Sequence, residues 1–284
     1  AGRLLAGCRV PYAIALGGTD VNVNARDAAQ RAVMARALGG ARCVLAFSRE
    51  MRAALRRALP DAPLPPSALM PQAVALPAPA GGCAWARLRA AGLPAGARVF
   101  VLPCGVRAVK DPALLVDAFA RWHAEQPDVW LLVVGPPLEQ AAVAQLSAAV
   151  RRTRGGADAA AAAAAAADAD AGADWRATGA VVGRGVMYHP AVAHADAVEL
   201  LRGAVAVLNS SRSEGMCGAL LEAMAVGAPV LARAVPGNLE LVRHRETGLL
   251  FSSPAECLAL ARELAAPGGA LAAALAAAAQ QHVA

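Results

Sequence analysis

The chain has 284 residues, which is enough for one large or two ordinary α/β domains, each with its own core. Aromatic residues make up only 4% of it, so stacking platforms for single-stranded nucleic acid are not expected. The net charge of +6 would suit nucleic acid, an anionic membrane or a phosphate-bearing ligand. The arginines are scattered without a long basic run, however, and this argues against a nucleic-acid-binding module.

The six cysteines show no C-x-x-C spacing, and a chain of this size needs no disulfide framework. We therefore expect buried thiols and a reducing, cytoplasmic compartment. No stretch of about 18 large apolar residues is present, so no membrane span is predicted.

The first 80 residues predict a thin parallel sheet with two helices. Tyr12–Leu16 and Arg42–Phe47 are short apolar runs typical of buried strands, and Ser48 is a good N-cap for the helix that follows. A sheet of two or three strands has an unpaired edge, which intact proteins usually cover. We therefore expect this first domain (1–80) to be an incomplete, N-terminally truncated remnant. The other predicted elements are a helix at Arg26–Leu38, a helix to about Leu59, a strand at Ala68–Met70 and a linker at Leu76–Gly82.

From residue 98 onward, strands and helices alternate regularly, which predicts a second domain (83–266) with a parallel sheet covered on both faces. In such sheets, ligands bind beyond the carboxyl ends of the strands. Predicted strands are Arg98–Pro103, Val129–Val134, Val181–Tyr188, Val205–Leu208, Pro229–Ala232 and Gly248–Phe251. One predicted helix begins at Pro112, and a second, after the strand at Val129–Val134, ends at about Arg152. Three more cover Ala195–Arg202, Gly215–Val226 and Pro254 to about Ala266.

Two alanine-rich segments carry no expected chemistry. Residues 154–174 contain nine consecutive alanines and are expected to form a low-complexity surface insert, because an all-alanine face buries little area. Residues 267–284 are expected to form an alanine-rich tail.

The strongest chemical signal is the run SEGMCGALLEAMAVGAPVLA, in which Glu214 and Glu222 stand eight positions apart. Over eight helical residues the rise is roughly 12 Å, comparable to the reach from a sugar across a diphosphate to a ribose. Backbone N–H groups at a helix N-terminus bind anions well. This element could therefore offer acceptors to sugar and ribose hydroxyls and donors to a diphosphate.

This run resembles the E-x7-E signature of GT4-type retaining glycosyltransferases. The resemblance extends to Pro236-Gly237-Asn238, similar to the family's glycine-containing turn, and to the "TGLLF" strand at 247–251. Upstream, residues 104–112 resemble the family's basic loop, and Gly17-Gly18-Thr19-Asp20, Ala46-Phe47-Ser48 and Pro71-Gln72 resemble its N-terminal domain. The resemblance implies a GT-B-like α/β fold of two Rossmann-like parallel-sheet domains, of which the first is incomplete.

The resemblance also implies roles for individual residues. Glu214 would contact donor-sugar hydroxyls and Glu222 the ribose, while Arg107 and Lys110 would neutralise the diphosphate. Here Arg107 stands three residues before Lys110, where the family spacing is five, and Cys217 replaces a common glycine. Backbone N–H groups for the diphosphate would come from the segment Gly215, Met216, Cys217 and Gly218.

Three further polar residues have weaker signals, and two of them, Asp20 and His189, remain open. Asp20 could face an acceptor or simply form a turn in the Gly-Gly-Thr-Asp loop. His189 could lie near the nucleotide base or on the surface, and His244 is expected on the surface.

The function implied is transfer of a hexose from a nucleoside diphosphate sugar, with retention, to an acceptor that the sequence does not identify. No cofactor or metal is expected, because D-x-D spacing occurs only in the alanine insert. The alternative is a non-catalytic nucleotide-sugar-binding fragment that lacks the acceptor domain. A dinucleotide oxidoreductase is disfavoured, since no G-x-G-x-x-G follows a predicted strand.

Overall fold

A computed structural model describes Leu5 and residues 10–22, 24–78, 81, 83–154, 180–190 and 192–284. It divides into two compact units. The first unit comprises Ala1–Val74, Ser213–Gly218 and Val235–Leu241, and the second comprises Ala75–Arg212, Ala219–Ala234 and Val242–Ala284. Almost all of the alanine insert predicted at 154–174 lies outside the described residues.

The first unit is built on a three-stranded parallel sheet in the order β1-β2-β3. Leu16, Val44 and Leu55 belong to its buried core, so the apolar runs read from the sequence do face inward. Its strands are β1 Ala13–Ala15, β2 Cys43–Ala46 and β3 Ser67–Leu69, and its first helices are α1 Gly18–Asn22, α2 Ala28–Gly39 and α3 Arg49–Ala58, with a 3-10 turn at Asn24–Arg26.

Helix α3 begins where the sequence predicts. The hydroxyl of the N-cap Ser48 accepts a hydrogen bond from Met51 N at 3.0 Å. The carboxylate of Glu240 also accepts from Arg49 N, at 2.9 Å, and from Glu50 N. These bonds satisfy backbone donors that the first turn of a helix leaves unpaired, so they fix this end of α3.

The second unit contains a seven-stranded sheet in the order β10-β9-β8-β4-β5-β7-β6. All neighbouring pairs are parallel except β6 with β7, which pair antiparallel at one edge. The strands are β4 Arg98–Pro103, β5 Val129–Val134, β6 Val181–Val182, β7 Val186–His189, β8 Ala206–Asn209, β9 Val230–Arg233 and β10 Leu249–Phe251. The remaining helices are α4 Cys83–Ala90, α5 Val116–Glu125, α6 Gln140–Arg152, α7 His194–Arg202, α8 Gly218–Ala225, α9 Pro236–Leu241, α10 Pro254–Leu264 and α11 Ala270–Val283, with a 3-10 turn at Ala108–Lys110; α9 belongs to the first unit.

The core of the second unit includes the central strands β4 and β5 and helix α5. Every residue of β5 is buried, as expected for a central strand covered on both faces. Phe100 on β4 packs against Phe119 and Trp122 of α5, with ring centroids 5.2 Å and 5.4 Å away. Such tilted and edge-on aromatic pairs add to the free energy gained by burial, so they hold α5 on the sheet.

Four predicted elements outside the glutamate motif differ from the structure. Pro112 does not open a helix: Asp111 adopts a left-handed conformation (φ 46°), turns fill the next residues, and α5 starts at Val116. The single strand predicted at Val181–Tyr188 is a hairpin, β6 and β7, because Gly185 (φ 68°) reverses the chain. The glycine-containing turn at Pro236 is helix α9.

The fourth difference is the C-terminal segment, predicted as a tail. It forms helix α11, and Leu275 on that helix belongs to the main core of the second unit. Alanine composition alone did not indicate this burial, in which Leu275, Ala276 and Ala279 face inward and Leu271 packs against the same core.

Candidate functional site

The loop after β4 carries the two predicted diphosphate-binding cations, Arg107 and Lys110. It lies at the carboxyl end of a central strand, where parallel sheets bind ligands. Its backbone is held at several points: Ala108 N donates to Glu139 Oε2 at 2.8 Å, and Ser210 Oγ donates to Lys110 O at 2.8 Å. The loop is therefore anchored on both sides before any ligand arrives.

Asp111 ties this loop to two further arginines. Its carboxylate accepts from Arg212 Nε at 2.9 Å and Nη2 at 3.2 Å, and from Arg233 Nη1 at 3.1 Å. The carboxylate also raises the pKa of Arg212 above its ordinary value, first through the hydrogen bond and then through charge attraction. Asp111 thus fixes Arg212 and Arg233 beside Lys110, and all of these residues belong to the second unit.

Arg107 is half-buried, and its Nε is inaccessible to solvent without a hydrogen-bond partner among the described residues. A buried, unpaired polar group costs free energy, so such a group is often satisfied when a ligand binds. This observation fits the predicted role of Arg107 toward an anion.

Glu222 lies one turn inside α8 and contacts a histidine that the sequence did not single out. Its Oε1 is 2.8 Å from His194 Nε2, at the first residue of α7. His189 ends β7 in the same unit, and its Nδ1 lies 3.2 Å from its neighbour's carbonyl oxygen, Pro190 O. In the adjacent position, burial raises the pKa of Tyr188 to about 12, so its hydroxyl stays neutral.

Glu214 lies in the first unit and is buried, with 9% of its surface exposed. Asn22 Nδ2 donates to Glu214 O at 3.3 Å. A methyl group on Gly18 would lie 2.6 Å from Gly215 N, and one on Gly237 would lie 2.5 Å from Glu214 O. Only glycine permits these approaches, so backbone packing on both sides holds the peptide that follows Glu214.

The segment between the two glutamates differs from the prediction. Helix α8 starts at Gly218 rather than Gly215, so Glu214 precedes it by four residues and Glu222 lies one turn inside instead of two. The rise of eight helical residues therefore does not describe their spacing. Residues 215–217 have irregular backbone, and Cys217 is buried with 5% of its surface exposed. This irregular backbone brings Gly215 against Gly18.

A small recess opens beside Glu214 in the first unit. Its volume is about 190 Å³ including the space open to solvent, and its lining combines the apolar Met51, Ala54 and Pro236 with the polar Asn22, Ser48, Glu50 and Glu214. The polar members of this lining carry donors and acceptors of the kind that bind hydroxyl groups. The side chain of Asp20, the predicted acceptor-side residue on α1, lies outside the described residues.

One further sequence prediction concerns His244. His244 is exposed, as predicted, and its Nδ1 accepts from Leu250 N at 2.9 Å. Within the described ranges, no cluster of His, Cys, Asp and Glu side chains could hold a metal ion, and no helix is long and apolar enough to cross a membrane. Cys43, Cys104, Cys217 and Cys257 form no disulfide.

Sequence reasoning missed Asp111, Asn22 and His194. Asp111 had a weak signal, since a residue before proline is biased away from helical geometry. Asn22 and His194 had none, because their contacts with Glu214 and Glu222 join segments 192 and 28 residues apart.

Comparison with known proteins places this site in a family. A model of glycosyl transferases group 1 matches residues 175–281. Glycosyltransferase 1 domain-containing protein 1 of Xenopus tropicalis is 31% identical over 268 residues, which cover 93% of this chain and 68% of that relative. The chain belongs to the group 1 glycosyltransferases.

Solved structures agree on the fold of this glycosyltransferase. Anabaena HepE in complex with UDP and glucose has a TM-score of 0.73 at 21% identity, covering 97% of this chain and 67% of that one. Sucrose-phosphate synthase from Thermosynechococcus elongatus has a TM-score of 0.66 at 24% identity, and the match covers 99% of this chain and 65% of that one. These similarities confirm the predicted α/β fold with parallel sheets of the GT-B type.

Proposed function

We propose that this glycosyltransferase transfers a hexose from a nucleoside diphosphate sugar with retention of the anomeric configuration, as GT4-type enzymes do. The observation that carries the proposal is the anchored loop after β4. It places Arg107 and Lys110 at the carboxyl end of a central strand, with Arg107 Nε buried and unpaired among the described residues. Arginine and lysine in such a position are suited to a diphosphate.

In this proposal each donor group has its own partner. The ribose hydroxyls donate to the carboxylate of Glu222, and the sugar hydroxyls donate to Glu214. The backbone N–H groups of residues 215–218, at and before the start of α8, donate to the diphosphate. His189, at the end of β7, lies near the base. Because HepE was solved with UDP and with UDP-glucose, we infer a uridine donor here.

The chemistry asked of these residues is mainly electrostatic. The bond between the anomeric carbon and the diphosphate oxygen breaks, and the acceptor hydroxyl oxygen forms the new bond while its proton passes to the departing diphosphate oxygen. The departing nucleoside diphosphate gains negative charge, which Arg107 and Lys110 stabilise, as prearranged charges do in other transfer reactions. We infer that no cofactor is needed and that Asp20 faces the acceptor.

The first experiment is a binding test. A panel of UDP-sugars is screened by saturation-transfer NMR, and calorimetry then compares the wild-type chain with Glu222→Ala and with the matched control Glu246→Ala, whose side chain is 69% exposed. We expect Glu222→Ala to weaken UDP binding while the control does not. Unchanged affinity in a folded Glu222→Ala chain would refute the ribose role.

The second experiment tests transfer. The donor selected by binding is incubated with a panel of sugar and polyol acceptors, and NMR coupling constants report the anomeric configuration of any product. An α-linked product from an α-linked donor supports retention, and an inverted product contradicts it. Tight donor binding without transfer to any acceptor would favour the non-catalytic binding protein instead.

A further inference from the structure

The contact between His194 and Glu222 joins two helices of the second unit. His194 opens α7 and ends the loop that leaves β7, whereas Glu222 belongs to α8. Both residues lie in the second unit, and their side chains are 54% and 22% exposed. The pair therefore joins the first residue of α7, the helix that follows the strand ended by His189, to the glutamate proposed to bind the ribose.

The direction of this hydrogen bond follows from the chemistry of the acceptor. An ionised carboxylate can only accept, so the proton must lie on His194 Nε2 whether the imidazole is neutral or charged. The bond uses Glu222 Oε1 at 2.8 Å. Glu222 Oε2 receives no hydrogen bond from the described residues, so it is the oxygen left for a ligand hydroxyl.

The acid nearest to His194 along α7 is engaged elsewhere. Asp196, two residues further along the helix, is buried and paired with Arg87 of α4. That pair ties α7 to α4 and keeps its first turn in place. His194 is thus presented from a fixed helix end toward Glu222.

We propose that His194 is a positioning residue for nucleotide binding: by donating to Glu222 Oε1, it orients the carboxylate so that Oε2 receives the ribose hydroxyls. This inference rests on the proposed ribose role of Glu222. A glutamate side chain has three rotatable bonds, and fixing one oxygen before binding lowers the entropic cost of binding.

The test compares three substitutions of His194. Glutamine can place an amide donor near the position of Nε2, whereas alanine and the shorter asparagine cannot reach Glu222. Calorimetry with UDP, and saturation-transfer NMR with uridine, measure each affinity. We expect His194→Ala and His194→Asn to lower the affinities for UDP and for uridine about three- to tenfold, by a similar factor for each ligand. His194→Gln should retain most of the wild-type affinity.

A double-mutant cycle separates this inference from the proposed function. In a Glu222→Ala background, His194→Ala should have no further effect on UDP binding. Additive losses, or a His194→Ala chain that binds UDP as well as or better than wild type, would overturn the positioning role. If Glu222→Ala alone leaves UDP binding unchanged, the proposed ribose contact itself fails.

His282→Ala is the control for a surface histidine, since His282 is exposed near the end of α11. It should change neither affinity. If His194→Ala does not fold, the comparison of His194→Gln with His194→Asn still decides the question, because both keep a polar amide and only one reaches Glu222. Equal affinities in those two variants would contradict the inference.

Discussion

Asp111→Asn is the substitution that best tests how the cationic loop is built. The change removes a negative charge but keeps a residue that tolerates the left-handed backbone conformation seen at φ 46°. Asparagine keeps one acceptor oxygen but replaces the other with an NH2 group that only donates, so the charge and part of the hydrogen bonding to the arginines are lost. We expect Arg212 and Arg233 to be released from the loop and Lys110 to lose its fixed position.

The magnitude follows from the exposure of the partners. The Arg212 side chain is 62% exposed, so its pair with Asp111 is screened by water and contributes about 0–1 kcal/mol. Arg233 is only 26% exposed and Asp111 12%, so that contact contributes more, on the order of 1–2 kcal/mol. We therefore expect Asp111→Asn to lower the free energy of unfolding by about 1–3 kcal/mol. Asp111→Ala should cost about 1 kcal/mol more, because alanine is strained at positive φ.

The assay pairs urea unfolding with calorimetric titration of UDP. The matched control is Asp128→Asn, because Asp128 makes a similar two-pronged contact with Arg98 Nε at 2.6 Å and Nη2 at 3.1 Å. Arg98 begins β4, so that pair lies at the opposite end of the strand from the loop. Asp111→Asn should weaken UDP binding and the control should not. If both variants bind UDP as wild type does, the anchoring argument is wrong.

Three further predictions concern other parts of the chain. Lys110→Ala should cost about 1.5–3 kcal/mol of binding for UDP but little for uridine, as measured by calorimetry and NMR; equal losses would show that Lys110 acts through folding. Gly18→Ala should destabilise the first unit, because its methyl group would lie 2.6 Å from Gly215 N, and faster proteolysis of residues 10–74 would report this. The hydrogen bond from Arg98 lowers the pKa of Asp128. This pair therefore stabilises the fold fully above the ordinary aspartate pKa of about 4, and its contribution is lost as the pH falls from there through the lowered pKa. Urea titrations from pH 7 to 3 should therefore show a smaller loss of stability in Asp128→Asn than in wild type.

The sequence was informative where local chemistry decides structure. The apolar runs of β4 and β5 were placed to the residue, because a strand buried on both faces must be continuously apolar. The start of α3 after Ser48 and the start of α10 at Pro254 were also predicted, since caps and proline act within one turn.

The sequence was uninformative where distant segments decide. Helix α8 starts later than predicted, and the irregular residues before it lie against Gly18, almost 200 positions away in the chain. The helical nature of residues 270–283 depends on burial of Leu275 in the core. At the site, glutamates and cations were identified from the motif, but Asp111, Asn22 and His194 act through neighbours that the sequence does not place beside them.

The short motif that carries both glutamates crosses from one compact unit to the other. Glu214 belongs to the first unit, where Gly18, Asn22 and Gly237 surround its peptide, whereas Glu222 belongs to the second with Lys110 and His194. A protein made from residues 75–284 alone would keep every proposed contact to the ribose, both cations for the diphosphate and Gly237. It would lose Gly18 and Asn22, which contact the peptide around Glu214. Such a fragment should therefore bind UDP but distinguish less sharply among UDP-sugars than the whole chain does. A fragment that selected one sugar as sharply as the whole chain would show that the contacts of Gly18 and Asn22 are not needed to position Glu214.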